Sequence, residues 1–225
     1  MVEILKQVPL FSSLQKDELE TIIRFSTTRK YPKETMIFLE DEEGDTLFII
    51  LKGKVKVSNF SESGKEIILS ILNAGDFFGE MSLLDGKPRS ASVTAIEDSE
   101  LRLVHRNDFL SVIKKHPQIA FKLLGELSSR LRKADQLIDS LANLNVTGRI
   151  AGILLQLAEE RGIQTNQGVL IQSRPTHQEL ANMVGATRET VTRVLKQLEV
   201  KKYVTMSGKD LCIVNPDLFR RAQQL

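Results

Sequence analysis

Leu124, Leu127, Leu131, Ala134, Ile138 and Leu141 recur at intervals of three, four, three, four and three residues. This rhythm commits the segment to a helix, and the stripe is narrow because the intervening positions are mostly polar. A seam of this kind needs an apolar surface against it. Two arrangements satisfy it: a parallel two-stranded coiled coil, which makes the chain a homodimer, or an amphipathic helix packed on its own domain. Either way, a long helix over residues 116–145 separates an earlier part of the chain from a later one. With 225 residues and 41% hydrophobic content, each part can build its own core.

Residues 1–115 carry the signature of a β-sandwich or jelly roll. From about residue 30 to 105 the apolar pattern has period two and is broken by turn residues. "TLFIILKGKVKVSNF" reads as a strand, a turn at Gly53 and a second strand, with Val55 and Val57 inward and Lys54 and Lys56 outward. Ser63-Gly64 and Asn73-Ala74-Gly75-Asp76 mark further turns. A short helix precedes the strands at Gln15 to Phe25. Asn107-Asp108 is a candidate cap for a helix after them, and Pro117 suits the first turn of the long one.

Residues 146–225 change character again. "NVTGRIAGILLQLAEERG" is a helix with Thr147 as a candidate cap and Gly162 as a stop. Next, Thr176 and Glu179 form a capping box, and Leu180, Ala181 and Val184 give a short helix its inner face. Gly185 permits a tight turn, Thr187 caps the next helix, and Val191, Val194, Leu195 and Leu198 are buried by it. This is a helix-turn-helix. "YVTMSGKDLCIV" alternates around Ser207-Gly208-Lys209-Asp210, a hairpin placed as a wing. The whole is an α+β chain: an N-terminal jelly roll, a long dimerisation helix and a C-terminal winged helix-turn-helix.

Charge follows the same division. Lys and Arg number 20 against 22 Asp and Glu in residues 1–145, and 11 against 7 in residues 146–225. The net charges are −2 and +4, so the net positive part is the one with a nucleic-acid-binding shape. Arg188, Glu189, Thr192, Arg193 and Lys196 lie on the solvent side of the second helix, four of them in its first two turns. Arg matches guanine O6 and N7, and Glu can accept from cytosine N4. The alternative is a solvated face stabilised by a Glu189–Arg193 pair at i,i+4.

"FFGEMSLLDGKPRSAS", residues 77–92, sets polar chemistry among apolar strands. It reads as a strand, turn and strand that folds back on itself. Gly79 lets backbone approach a ligand, Arg89 offers a planar fork for a phosphate, and Ser90 adds a hydroxyl and an amide. Glu80 is then the acceptor for a sugar hydroxyl. A buried Glu80–Arg89 pair with no ligand is the other possibility, although desolvation offsets much of the gain of such a pair.

"FGEMSLLDGKPRSASVTA" resembles the phosphate-binding cassette of cyclic-nucleotide-binding domains. "VTGRIA" and "THQELANMVGATRETVTRVLKQLE" are similar to the hinge and helix-turn-helix of the Crp/Fnr family of bacterial transcription regulators. The resemblance spans essentially the whole chain in the family's order and is closest to the cyclic AMP receptor branch. It implies that Gly79, Glu80, Arg89 and Ser90 hold ribose and cyclic phosphate, with Met81, Ser82 and Ala91 completing the cassette. It also implies that Thr176, His177, Gln178, Thr187, Arg188, Glu189, Thr192, Arg193 and Lys196 face DNA, with Arg188, Glu189 and Arg193 matching the readers of TGTGA-like half-sites. Cyclic AMP receptors place a Thr-Ser pair on the dimer helix to meet adenine, and the aligned residues here are Ala134 and Asp135. An inward Asp135 suits the N1–H and amine of guanine; an outward one only faces water.

The implied protein is a cytoplasmic homodimer that binds double-stranded DNA under control of a cyclic nucleotide and works with RNA polymerase. Cyclic AMP is the first candidate effector, with cyclic GMP or cyclic di-GMP as alternatives. A member that binds DNA constitutively, or a ligand module that acts through protein contact, is also compatible. The N-terminus lacks the layout of a signal peptide and no apolar run spans a membrane. The single cysteine, Cys212, leaves no internal disulfide, Cys-ligated cluster or zinc finger, and no metal is expected. His105, His116 and His177 are scattered and form no nucleophile–base set, which argues against an enzyme.

Overall fold

The computed structural model describes residues 2–216 and 219. The chain divides into two units, Met1–Arg130 and Leu131–Leu225. The first begins with α1 (Val2–Gln7), a 3-10 turn at Pro9–Phe11, and α2 (Lys16–Phe25). A capping box opens α2, with the Gln15 amide donating to Glu18 at 2.6 Å. Eight strands follow: β1 (Thr27–Tyr31), β2 (Met36–Phe38), β3 (Thr46–Lys52), β4 (Lys54–Phe60), β5 (Glu66–Asn73), β6 (Phe77–Phe78), β7 (Ser92–Ala95) and β8 (Ser99–His105). Between β6 and β7 lies α3 (Glu80–Asp85), and after β8 come α4 (Arg106–Lys115) and α5 (Gln118–Asn143).

The strands form two antiparallel sheets, β1-β8-β3-β6 and β2-β7-β4-β5. Tyr31, Phe48, Ile50, Val55, Phe78, Val93, Ala95 and Leu101 come from both sheets and bury together, which makes the unit a sandwich. Strand β3 is buried on both faces. Phe48 and Ile50 enter the sandwich, while Leu47, Ile49 and Leu51 pack with α1, α2, α4 and the start of α5. That double burial explains why its sequence is a continuous apolar run instead of an alternation. In β4 Val55 is buried and Val57 packs partly against the same core as expected, while the register shift between Val57 and Ser58 buries Ser58 as well.

Four local expectations are corrected. Residues 77–92 are not strand, turn and strand: after β6, Gly79 takes φ 80° and caps α3, and Gly86 at φ 72° ends it. The run Glu-Met-Ser-Leu-Leu is helix-forming, and Leu83 anchors it in the core. α4 begins at Arg106 with His105 at the cap and no side-chain cap bond, so Asn107-Asp108 fall inside its first turn. Pro117 stands just before α5, where its carbonyl accepts from the Ala120 amide at 2.9 Å. Asn145, not Thr147, caps α6, accepting from the Gly148 amide at 3.0 Å.

The second unit contains the later part of α5, then α6 (Val146–Arg161), β9 (Ile163–Thr165), β10 (Gly168–Ile171), α7 (His177–Val184), α8 (Arg188–Val200), β11 (Val204–Ser207) and β12 (Asp210–Ile213). The strands form one sheet in the order β11-β12-β10-β9. The β11–β12 hairpin turns at Gly208 as expected, whereas β9 and β10 lie in a stretch where no strand was foreseen. Gly162 ends α6 with φ −70°, so the left-handed conformation of a glycine stop is absent. Its lack of a side chain is what matters, because a Cβ there would collide with the Ala158 carbonyl and Val169.

Candidate functional site

Two polar sites are built on these frames. In the first unit, α3 and the loop before β7 bring Glu80 and Arg89 into the buried layer, with relative exposures of 3% and 5%. The Arg89 guanidinium donates through Nη1 to the Gly79 carbonyl and through Nη2 to the Thr46 carbonyl, both at 2.9 Å. Its Cζ lies 4.4 Å from the centroid of the Phe38 ring. Two backbone bonds tie Arg89 to the 41–42 loop: its amide donates to the Glu42 carbonyl and its carbonyl accepts from the Asp41 amide. The fork is therefore fixed before any ligand arrives. Burial pushes the Arg89 pKa below the ordinary arginine value, and Asp45, Glu80 and Glu42 act in the opposite sense. The group stays charged, as arginine does in proteins.

Glu80 does not pair with Arg89. Its Oε1 accepts from Arg130 Nη1 at 3.0 Å, and Arg130 Nη2 donates to the Phe77 carbonyl at 2.7 Å. Arg130 also lies over the Phe77 ring, 4.9 Å from its centroid, and its Nε bonds Glu126. The remaining polar atoms, Glu80 Oε2 and Arg89 Nε, are buried and have no hydrogen-bond partner. An orphan acceptor and an orphan donor this deep are costly unless something completes them. The donor can meet a phosphate oxygen and the acceptor a sugar hydroxyl, the two groups that a ribose cyclic phosphate offers. A Cβ on Gly79 would come within 2.8 Å of Arg89 Nη1 and 2.9 Å of the Thr46 carbonyl, so glycine is needed at this corner.

Ser82 and Ala91 are buried, Met81 is exposed, and Ser90 turns its hydroxyl toward Met81 Sδ at 3.4 Å. Ala134 and Asp135 are exposed on α5. Sequence reasoning missed Gly44, Phe38 and Arg130. Gly44 follows an acidic run with no pattern around it, and Arg130 is one charge beside an apolar seam.

In the second unit the helix-turn-helix has the expected frame. Thr176 accepts from the Glu179 amide at 3.2 Å while Glu179 accepts from the Thr176 amide at 2.7 Å. Gly185 adopts φ 67°, and Thr187 accepts from the Thr190 amide. Leu180, Ala181, Val184, Val191, Val194, Leu195 and Leu198 are buried in a common core. Arg188, Glu189, Thr192, Arg193 and Lys196 are all exposed on α8. Gln178 is exposed on α7 and donates to Asn182 at 2.9 Å. His177 bridges the helices, its Nδ1 2.8 Å from Thr192 Oγ1 and its Nε2 3.3 Å from Arg174 Nη2. Burial first, then Arg174 and Arg188, hold its pKa below the usual histidine value. The Glu189 carboxyl is also held low, by its own backbone amide and the Thr187 hydroxyl. The exposed side chains of α8 lie on the second helix of the pair, the one that a helix-turn-helix presents to a major groove.

Residues 28–116 match the cyclic nucleotide-binding domain family, and residues 148–222 match the Crp-like helix-turn-helix domain family. The chain belongs to the Crp/Fnr family of transcription regulators. The relationship extends over the full length. The CRP-like cAMP-activated global transcriptional regulator of Mycobacterium tuberculosis is 33% identical over 99% of this chain and 100% of that protein. The cyclic AMP receptor protein of Thermus thermophilus is 39% identical over 86% of this chain and 87% of that protein. Among solved structures, the c-di-GMP responsive global regulator CLP of Xanthomonas campestris matches with a TM-score of 0.76 at 27% identity, covering 89% of this chain and 100% of that one.

This Crp/Fnr protein is a Crp-like transcription regulator that joins a cyclic nucleotide-binding domain to a DNA-binding helix-turn-helix. Its family consists of regulators, not enzymes. Among the described residues no helix is long and apolar enough to cross a membrane, and no cluster of His, Cys, Asp or Glu is arranged to hold a metal ion.

Proposed function

We propose that this regulator is a cytoplasmic homodimer whose affinity for palindromic TGTGA-like sites is set by cyclic AMP. Residues 1–115 serve as the effector domain, 116–145 as the dimerisation helix and 146–225 as the DNA-binding domain, and the DNA-bound dimer engages RNA polymerase. One observation carries the effector reading: buried Arg89 Nε and Glu80 Oε2 have no partners in the protein. A ribose hydroxyl and a cyclic phosphate complete both at once. Gly79, Met81, Ser82, Ser90 and Ala91 supply the surrounding backbone and side chains. The named relatives activated by or receiving cyclic AMP support that choice.

Cyclic di-GMP is the second reading, supported by the c-di-GMP responsive relative and by Asp135, an exposed acceptor on α5. Electrostatics favours the mononucleotide. The cassette presents one buried guanidinium, and Asp45, Glu80 and Glu42 already act on it, so a second phosphate here would meet carboxylates. Calorimetry of the protein against cyclic AMP, cyclic GMP and cyclic di-GMP tests this. The expected result is one site per chain for cyclic AMP that Arg89→Lys abolishes. Binding of the dinucleotide alone, lost in Asp135→Ala, would favour the second reading.

A further inference from the structure

Thr192 stands exposed on α8, one turn after Arg188 and next to Arg193, yet its hydroxyl is not free to meet a base. Oγ1 donates back to the Arg188 carbonyl at 2.9 Å, which selects the side-chain rotamer. The same oxygen lies 2.8 Å from His177 Nδ1. On the other side of the imidazole, Arg174 Nη2 lies 3.3 Å from Nε2. A guanidinium only donates, so Nε2 accepts. Nδ1 therefore carries the hydrogen of a neutral imidazole and donates it to Thr192. The chain of bonds runs from Arg174 to His177 to Thr192 to the Arg188 carbonyl, with every hydrogen assigned. The hydroxyl hydrogen is committed to the helix, and one oxygen lone pair is committed to His177. The methyl group is the uncommitted branch of this exposed side chain.

In the major groove the apolar counterpart of a threonine methyl is the C5-methyl of thymine. We propose that Thr192 selects a thymine through this methyl contact, and that His177 is the positioning residue that holds the hydroxyl away from the base. The inference rests on the reading of α8 as the DNA-contacting helix. It adds a thymine to the polar readers Arg188, Glu189 and Arg193, and it makes a residue of the first helix a determinant of what the second one selects.

The test is a uracil scan. Each thymine of a palindromic TGTGA-type probe is replaced singly by uracil, which removes only the methyl, and the affinity of the full-length protein is measured with cyclic AMP present. Wild type should lose about 4-fold at one position per half-site, the value of one buried methyl. Thr192→Ser keeps the hydroxyl bonds and lacks the methyl, so it should bind thymine and uracil probes equally. His177→Ala should shrink the penalty at that same thymine while leaving the guanine preference of Arg193 intact. A penalty that persists in Thr192→Ser overturns the methyl contact, and one unchanged in His177→Ala overturns the positioning role. Sequence-specific binding with no sensitive thymine overturns this inference alone. Absence of sequence-specific binding overturns both it and the reading of α8.

Discussion

A methyl group added to Gly44 would occupy the space of the Nε and Cζ atoms of Arg89. The guanidinium would have to leave the Gly79 and Thr46 carbonyls that aim it, so Gly44→Ala acts on the pocket without touching a ligand. It should weaken cyclic nucleotide binding roughly 10-fold or more, the loss of one charge-assisted hydrogen bond at about 1.5–3 kcal/mol. Calorimetry showing an unchanged Kd would remove the clamped geometry as the basis of recognition. His177 gives a second residue-scale expectation. Its folded-state pKa lies below the ordinary value of 6.5, so the folded form binds fewer protons than the unfolded one. The associated stability is fully present above that value and is lost as pH falls through the lowered one. Thermal denaturation of the protein followed by circular dichroism should therefore show a midpoint that falls on acidification below about pH 6.5. His177→Gln should reduce that pH dependence, and an identical profile in the variant would dissociate the network from stability.

At the level of elements, α5 carries a row of exposed apolar side chains. Leu124, Leu131 and Ile138 are 59%, 64% and 66% exposed, and Leu141 is exposed as well. Leu127 alone of the seam packs partly against the first unit's core. A coiled-coil partner covers such a row, so Leu131→Asp, which sets a carboxylate in an apolar seam, should convert a dimer into a monomer in analytical ultracentrifugation. A dimer of unchanged stability would place the interface elsewhere. How much of this was legible in the sequence depends on how local each determinant is. The capping box of Thr176 and Glu179 and the turn at Gly185 are decided within a few residues, and both were readable, whereas the period-two reading of residues 30–105 passed over the two-faced burial of β3. Thr147 and Asn145 can both cap a helix, and only the backbone path selects Asn145. α3 was hidden because residues 77–92 read as strand, turn and strand, whereas left-handed backbone at Gly79 and Gly86 bounds one short helix. The Glu80–Arg130 pair joins residues 50 apart in sequence, and no periodicity announces it. Buried Arg102 is similar, donating to the Ile23 and Ser26 carbonyls at the end of α2 and to the Ser26 and Thr28 hydroxyls.

For the whole molecule, the proposed function couples effector binding in one unit to DNA binding in the other. If cyclic AMP raises affinity for DNA, DNA raises affinity for cyclic AMP by the same factor. Base reading and phosphate contact separate by substitution. Arg193→Ala should cost about 1–3 kcal/mol on specific DNA and relax preference at one guanine. Lys196→Ala should weaken specific and random DNA alike and flatten the salt dependence, and equal losses for both variants on both DNAs would deny Arg193 its role. The most direct measurement is a fluorescence-anisotropy titration of a palindromic TGTGA-type probe at one fixed salt concentration, with and without saturating cyclic AMP. The account predicts tighter binding with the nucleotide, by roughly 5–150-fold, and no such gain in Arg89→Lys. Equal affinity in the presence and absence of cyclic AMP would contradict it.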